Sequence, residues 1–498
     1  MTRMARPSSS HPEALKILFI ASEAEPLVKV GGLGDVAGSL PPALMALDQS
    51  EVEGKRLDVR LVIPFHGAVR QKITNPELVA TFDILRNHQP VNAQVFYTRQ
   101  GQVPTYLIAG PPIPPEAPVY SQDNRLDTEK YIFFSLAALE LCKAIGWIPD
   151  ILHANDWHTA CAVYGLALHR QSQPEFAKTR SVLTVHNLPF LGADAPDILA
   201  AYGLPSSQDP RLPDWARAMP LPLGLQAADQ IVAVSPKYAK EILTAEFGSG
   251  LQDFLKSRKK SILGILNGLD QVAWDPSNDA YLPTCYGADD ISQRQLNKKA
   301  LLSSFALPEQ ADVPLIIMVT RMDRQKGVDL AIEALQASLK LPWQALFLGT
   351  GDPVFENACR SLEAAMPDRF RTAIKFDNKL AHTMYAGADI LLMPSRYEPC
   401  GLSQMIAMRY GCIPLARSTG GLKDSIHDNQ DVTSSTGFLF KPSTPLALVK
   451  TLKRAIERYY NHGAWHHMQV QGMQQDFSWR QSAIAYTNLY LRLREKLP

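Results

Sequence analysis

Apolar residues in this chain come in short unbroken runs: LKILFIA at 15–21, DVRLVIP at 58–64, ILHAND at 151–156, SVLTVHN at 181–187, QIVAVSP at 230–236 and ILGILNG at 262–268. A helix-length pattern follows each run. Continuous rather than alternating apolar runs predict strands of a parallel sheet covered on both faces. Residues 87–110 are richer in strand and turn signals and predict an inserted antiparallel piece. Between Trp274 and Tyr286 the rhythm breaks at Asp275-Pro276, Asn278-Asp279 and Leu282-Pro283, all turn formers. It resumes with PLIIMVT (314–320), WQALFLG (343–349), IKF (374–376), DILLMPS (389–395) and CIPLARS (412–418). A helix is expected from about Gly327, and another with Pro353 in its first turn. The pattern predicts two doubly wound α/β domains. Ligands of such sheets bind outside the carboxyl ends of the strands, so two sheets facing each other place the site in an interdomain cleft.

Composition narrows the reading. With 498 residues, 46% of them hydrophobic, the chain has enough apolar material for two or more cores. Fifty basic against 49 acidic residues leave a net charge of +1, which argues against an electrostatic nucleic-acid binder. No apolar run reaches the roughly 20 residues of a membrane span, so no membrane partner is expected. Cys142, Cys161, Cys285, Cys359, Cys400 and Cys412 are widely spaced and predict reduced thiols. The start, MTRMARPSSSHP, lacks the apolar core of a secretory signal and is expected to be a disordered tail over 1–13, with a transit-peptide remnant as the alternative. No period of 20–50 residues marks a solenoid.

Four strand exits carry candidate chemistry. EPLVKVGGLGDV follows the first strand with Lys29, Gly31, Gly32 and Gly34. Glycines at a strand–helix turn let backbone N–H groups approach an anion, and Lys29 adds a full charge; tight packing is the equal alternative. TRMDRQKG places Arg321 and Lys326 at a strand end, a pair suited to a diphosphate, with a solvated basic loop as the alternative. PSRYEPCGLSQM sets Glu398 beside a helix expected near Gly401, whose first N–H groups at Cys400, Gly401 and Leu402 favour an anion. A carboxylate there suits sugar hydroxyls or a cationic sugar transition state, or it caps the helix. Ser418-Thr419-Gly420-Gly421-Leu422 is a further glycine turn, suited to a base or ribose. HANDWHT offers His153 at a strand end, with Asp156 expected as a local cap; His186-Asn187 is a second such pair. A metal reading of H-x-x-D-x-H is disfavoured, because those residues share no fixed face.

Together these residues resemble the bacterial glycogen synthases and plant starch synthases, retaining glucosyltransferases of the two-Rossmann GT-B fold. The resemblance covers about Lys16 to Leu493 and rests on KVGGLGDV, DVRLVIP, HANDWH, VHN, AVSPKYAKEI, ILGILNGLD, TRMDRQKGVDL, PSRYEPCGLSQM and STGGLKDSI in that order. It implies an acceptor-side domain over 14–275, a nucleotide-sugar domain over 276–475 and a final helix over 476–498 that crosses back to the first domain. It implies transfer of glucose from a nucleotide sugar, ADP-glucose before UDP-glucose, to the non-reducing end of an α-1,4-glucan, without metal or cofactor. Lys29, Gly31, Gly32, Asp35, Cys400, Gly401, Leu402, Thr419 and Gly420 would bind the donor, clamped from both sides of the cleft. Arg321 and Lys326 would neutralise the departing diphosphate, Glu398 and His153 would lie by the transferred glucose, and Asp127, His186 and Asn187 would contact substrate. A cytoplasmic location is implied, with a plastid as the alternative.

The chain departs from the family pattern in four places. Val30 stands for threonine, Lys130 for arginine, Phe190 and Leu191 for a more polar pair, and Met219–Gly224 for a polar sugar-positioning run. The last keeps two other readings open: a non-catalytic glucan-binding or priming partner, and a GT-B transferase with another acceptor.

Overall fold

Ile17, Leu18, Phe19 and Ile20 are all fully buried, so both faces of strand β1 (Ala14–Ile20) are covered, as its unbroken apolar run requires. The computed structural model describes residues 14–429, 431 and 434–495; the tail expected at 1–13 and residues 496–498 lie outside the described residues. The first sheet also contains β2 (Arg56–Pro64), β3 (Glu77–Arg86), β4 (Gln89–Gln100), β5 (Val103–Ala109), β6 (Ile151–Asn155), β7 (Arg180–Val185), β8 (Gln230–Ala233) and β9 (Ile262–Gly264), in the order β3-β4-β5-β2-β1-β6-β7-β8-β9. The second contains β10 (Leu315–Val319), β11 (Gln344–Gly349), β12 (Phe370–Ile374), β13 (Ile390–Met393), β14 (Ile413–Arg417) and β15 (Phe438–Phe440), all parallel, in the order β12-β11-β10-β13-β14-β15. These are two Rossmann-like α/β domains of the GT-B kind.

The antiparallel piece begins earlier than its sequence signal. β3 starts at Glu77, and its mostly exposed or half-buried residues hide it from an apolar count. Asn87 and His88 turn the hairpin with φ of 50° and 62°, the left-handed pair a tight hairpin needs. β5 then pairs antiparallel with β4 and parallel with β2, which joins the hairpin to the sheet. In the second sheet the expected strand IKF is displaced: β12 ends at Ile374, and Phe376 lies beyond it.

The chain divides into two units. Unit 1 comprises the residues up to Val234, Ala239–Gly268, and the chain from Trp479 onward; unit 2 comprises Ser235–Tyr238 and Leu269–Ser478. In unit 1 the helix Trp479–Glu495 sends Trp479, Ala483, Tyr486 and Tyr490 into the core built on β1 and β2. In unit 2 the turn-rich stretch after Leu269 is tied down. Trp274 stacks on His382 (3.9 Å between centroids, 11°), and Asp279 Oδ2 accepts from His382 Nδ1 at 2.7 Å and from the Tyr410 hydroxyl at 2.6 Å. The Met219–Gly224 run enters the buried helix Pro220–Ala227 with proline at its start. A Cβ on Gly224 would lie 2.7 Å from the Ala160 Cβ, so this helix packs directly on Trp157–Ser172.

Candidate active site

In unit 2 the charged groups gather where β10 and β13 end. Lys326 precedes Gly327, whose φ of 72° starts the helix Val328–Ala337. The Lys326 Nζ donates to both oxygens of Glu398, at 2.9 and 2.7 Å, and Ser395 Oγ donates to Glu398 Oε2 at 3.0 Å. Glu398 is only 6% exposed, so its charge is viable because these donors replace water. It does not cap a helix: Gly401 holds a φ of 72° and the following helix is Ser403–Arg409, later than expected from the sequence. Cys400 and Gly401 thus precede the helix and Leu402 is its cap residue. Arg321, with a side chain 66% exposed, bonds Gln325 Oε1 at 3.3 Å and pairs with Asp323. A cavity of about 50 Å³ lies between Thr320, Lys326, Ser395, Glu398, Gly401, Leu402 and Ser403. That is room for one or two small polar groups rather than a sugar ring.

The turn at Thr419–Gly421 serves packing. A Cβ on Gly420 would lie 1.9 Å from the Glu398 carbonyl oxygen, and one on Gly421 2.0 Å from that of Cys400. Gly421 N donates to Glu398 O at 3.1 Å, and Thr419 is buried. These residues brace the Glu398 loop from behind. Phe376, expected within a strand, lies just past β12 and is 89% exposed at the same carboxyl edge. Its signal in the sequence is an aromatic between Lys375 and Asp377, where a buried strand would not end.

In unit 1 the glycine turn after β1 already holds an anion, the Glu23 carboxylate. Val30 N and Gly31 N both donate to it, and the Tyr120 hydroxyl donates to Oε1 at 2.8 Å. A Cβ on Gly34 would meet Glu23 Oε2 at 3.1 Å and Lys29 Cα at 3.2 Å, which explains the glycine there. The Gly31 N–H expected to meet a ligand is therefore spent on the chain itself, together with that of Val30. The helix Gly32–Met45 begins at Gly32, whose Cβ position is open. Lys29 pairs with Glu25 (3.0 Å) and Asp35 (2.6 Å). Burial raises the carboxyl of Asp35, and Lys29 beside it opposes that rise.

The HANDWH motif sorts its residues differently from expectation. His153 is 0% exposed, with Nδ1 2.6 Å from the Tyr490 hydroxyl and Nε2 2.7 Å from Thr184 Oγ1. Both nitrogens are used, so His153 fastens the helix Trp479–Glu495 to the sheet and does not reach a substrate. His158, 8% exposed beside Tyr120 and Tyr131, leaves Nδ1 without a partner among the described residues. Asp156, at φ 56°, caps no N–H of its own helix; its Oδ1 accepts from His186 N (2.7 Å) and Asn187 N (3.3 Å). His186 Nε2 lies 2.9 Å from Asn155 Oδ1. Asp127 is engaged at both oxygens, by Lys130 Nζ (2.7 Å) and Ser121 N (2.8 Å). Lys130 spends its remaining donors on Pro118 O and Val119 O, so this lysine organises the loop that carries Tyr120.

Burial pulls His66 and His153 down to about 4 and about 3, and lowers His158 and His186 as well. It raises Glu23 and pushes Asp156 up to about 7. Below the ordinary histidine value of about 6.5 the unfolded chain binds protons that the four folded imidazoles refuse. Their stabilisation is therefore complete above that pH and is lost as pH falls toward about 4–3. The raised carboxyls act oppositely, favouring the fold as pH falls through about 7 for Asp156. Asp35, raised to about 6, acts in the same direction as Glu23 and Asp156, but four imidazoles outweigh three carboxyls, so the melting temperature is expected to be lower at pH 5 than at pH 7.5. An unchanged or higher value at pH 5 would contradict this assignment.

Among the described residues no group of three or more His, Cys, Asp or Glu is placed to hold a metal ion, and no helix is long and apolar enough to cross a membrane. All six cysteines carry free thiols.

Comparison with known proteins gives this geometry its context. The family described as starch synthase catalytic domain matches residues 16–257, and glycosyl transferases group 1 matches residues 302–466. A glycogen synthase of Aromatoleum aromaticum is 41% identical over 495 residues, covering 96% of this chain and 97% of that protein. One of Anaeromyxobacter dehalogenans is 38% identical over 485 residues, covering 96% and 99%. The catalytic domain of starch synthase IV from Arabidopsis thaliana, solved with ADP and acarbose bound, superposes with a TM-score of 0.82 at 30% identity, covering 98% of this chain and all of that one. The chain belongs to the glycogen and starch synthase family of GT-B glycosyltransferases.

Proposed function

We propose that this protein transfers glucose, with retention, from ADP-glucose to the non-reducing end of an α-1,4-glucan. The observation that carries the reading is the Lys326–Glu398 pair at the carboxyl edge of the second sheet, a cation for a diphosphate bonded to a carboxylate for a sugar. Along that edge the strand order runs β12, β11, β10, β13, which sets out Phe376, then Gly351, then Arg321 and Lys326, then Glu398. Three strand spacings span about 14 Å. An extended nucleotide sugar fits this sequence, with its base on Phe376, diphosphate by Arg321 and Lys326, and glucose by Glu398. The starch synthase IV domain, which binds ADP and acarbose, supports both ligand classes.

In this reading the bond from glucose C1 to the diphosphate breaks while C1 joins the acceptor O4 on the same face. The O4 proton passes to the leaving phosphate oxygen. Arg321 and Lys326 stabilise the charge left on the diphosphate, and Glu398 faces the positive charge that develops on the sugar. In this reading no metal is required.

The test is glucose incorporation from labelled ADP-glucose or UDP-glucose into glycogen or maltooligosaccharides, without added metal. Incorporation into product that α-amylase degrades supports the reading and ranks the donors. Nucleotide binding without incorporation favours a non-catalytic glucan partner, and a product of another kind favours a different acceptor. Phe376→Ala is expected to weaken ADP binding about 5–100-fold, the loss of one base–aromatic stack, with no fall in melting temperature. Titration calorimetry checks this, and unchanged affinity removes Phe376 from the donor site.

A further inference from the structure

The charges of the unit 2 site stand on two separate loops. Residues 320–327 carry Arg321 and Lys326, and residues 394–402 carry Glu398. Arg396 ties them together. Its guanidinium donates from Nη1 to Asp329 Oδ1 (2.8 Å), from Nη2 to Asp329 Oδ2 (2.7 Å), and from Nη1 to Arg324 O (2.7 Å). Its backbone N donates to Gln325 O at 2.7 Å, and its carbonyl accepts from Arg417 Nη1. Gln325 Nε2 returns a bond to Tyr397 O at 3.3 Å. At the base of both loops Gly327 lies so close to Pro394 that a Cβ would come within 2.3 Å of its carbonyl oxygen.

We propose that Arg396 is a positioning residue for glucose transfer. It fixes the loop of Lys326 to the loop of Glu398, so that cation and carboxylate meet the donor at one fixed spacing. This rests on the donor-site reading above. The two-pronged fork matters because it sets direction as well as distance, which a lysine cannot do. Neither Lys326 nor Glu398 lies on a strand or helix, so their relative position rests on their mutual bond, on the bonds of Gln325 and Gly421 to the Glu398 loop, and on the Arg396 fork, which binds the Glu398 loop to the helix that follows Lys326. Their mutual bond is the one a bound diphosphate competes for.

Unit 2 contains a matched control. Arg454 makes the same two-pronged contact with Asp428, at 2.7 and 2.6 Å, from the helix Pro445–Tyr459, and touches neither loop. A purely structural ion pair at either place should cost stability alike.

The experiment measures kcat, KM, ADP affinity and melting temperature for the full-length wild type and for Arg396→Ala, Arg396→Lys, Asp329→Asn and Arg454→Ala. Arg396→Ala is expected to lose about 100-fold in kcat, the cost of an ångström-scale misplacement, and to bind ADP more weakly. Arg396→Lys should recover little. Adding Asp329→Asn to Arg396→Ala should cost no more than Arg396→Ala alone, because the pair acts as a unit. Guanidinium ion at low concentration should restore part of the kcat of Arg396→Ala. Arg454→Ala should lower the melting temperature comparably and keep the wild-type kcat.

The proposal is overturned if Arg396→Ala keeps kcat and ADP affinity within about twofold of wild type, the scatter of an ordinary surface substitution. It is also overturned if Arg454→Ala loses as much activity. Should Arg396→Ala not fold, Arg396→Lys and Asp329→Asn decide by the same criteria. A wild type that binds ADP yet makes no glucan defeats the synthase reading alone, because the effect of Arg396 on ADP affinity is still measured.

Discussion

Glu398→Gln is expected to lower glucose transfer by about 10²–10³-fold, the usual cost of losing one aimed charge at a transition state, while ADP affinity holds or rises. The substitution keeps the shape and removes the charge. In the folded protein that carboxylate is almost wholly enclosed and accepts from Lys326 and Ser395. A carboxylate beside a diphosphate site opposes anion binding, so its loss cannot weaken ADP by repulsion. It also frees Lys326 to give all its donors to phosphate. The split is diagnostic: a donor-binding residue would lose affinity and rate together, whereas a group that acts on the developing sugar cation loses rate alone. Steady-state kinetics with ADP titration measure both. Turnover within about twofold of wild type would remove Glu398 from the chemistry.

Lys326→Ala is expected to fail in a different way. It removes charge-assisted bonds to a diphosphate, which at 1.5–3 kcal/mol each correspond to about 10–100-fold in ADP affinity, and turnover falls with it. It also leaves Glu398 with Ser395 as its remaining side-chain donor, a poorly compensated charge in an enclosed site. The melting temperature should therefore drop, and adding Glu398→Gln to Lys326→Ala should restore much of it, because the second change removes the stranded charge. Recovery of stability without recovery of turnover is the expected pattern. If ADP affinity and melting temperature both stay at wild-type values, the pair is not the electrostatic centre of the site.

Much of this was legible in the sequence for simple reasons. Buried parallel strands need unbroken apolar runs, so β1, β2, β6, β7, β10, β11, β13 and β14 announce themselves. The unit 2 site was legible because its groups lie on short loops directly after such strands. The unit 1 site was harder to read. Its glycines point to an anion, but the pattern does not say whose, and here Glu23 of the same chain fills the place at Val30 and Gly31. His153 and His158 share one motif and are equally plausible on paper. Only the distant Tyr490, at the other end of the chain, reveals that His153 is structural. Thr419–Gly421 reads as a ligand cradle, and the pattern gives no sign that the backbone of Glu398–Cys400 is pressed against it. In each case the missing fact is a contact between residues far apart in sequence, which local pattern does not encode. β3 escapes an apolar count for another reason: a strand at a sheet edge with one face in solvent lacks the apolar run that betrays the others.

The helix Trp479–Glu495 bears on how the protein is made. The core of unit 1 takes Trp479, Ala483, Tyr486 and Tyr490 from a segment made only after unit 2, although most of the unit is complete by Val234. At 5–20 residues per second, the interval between those two points is on the order of 10–50 s. During that time the sheet of unit 1 has an uncovered apolar face while unit 2 is synthesised whole. A message truncated before Trp479 therefore damages unit 1, most of which is encoded far upstream.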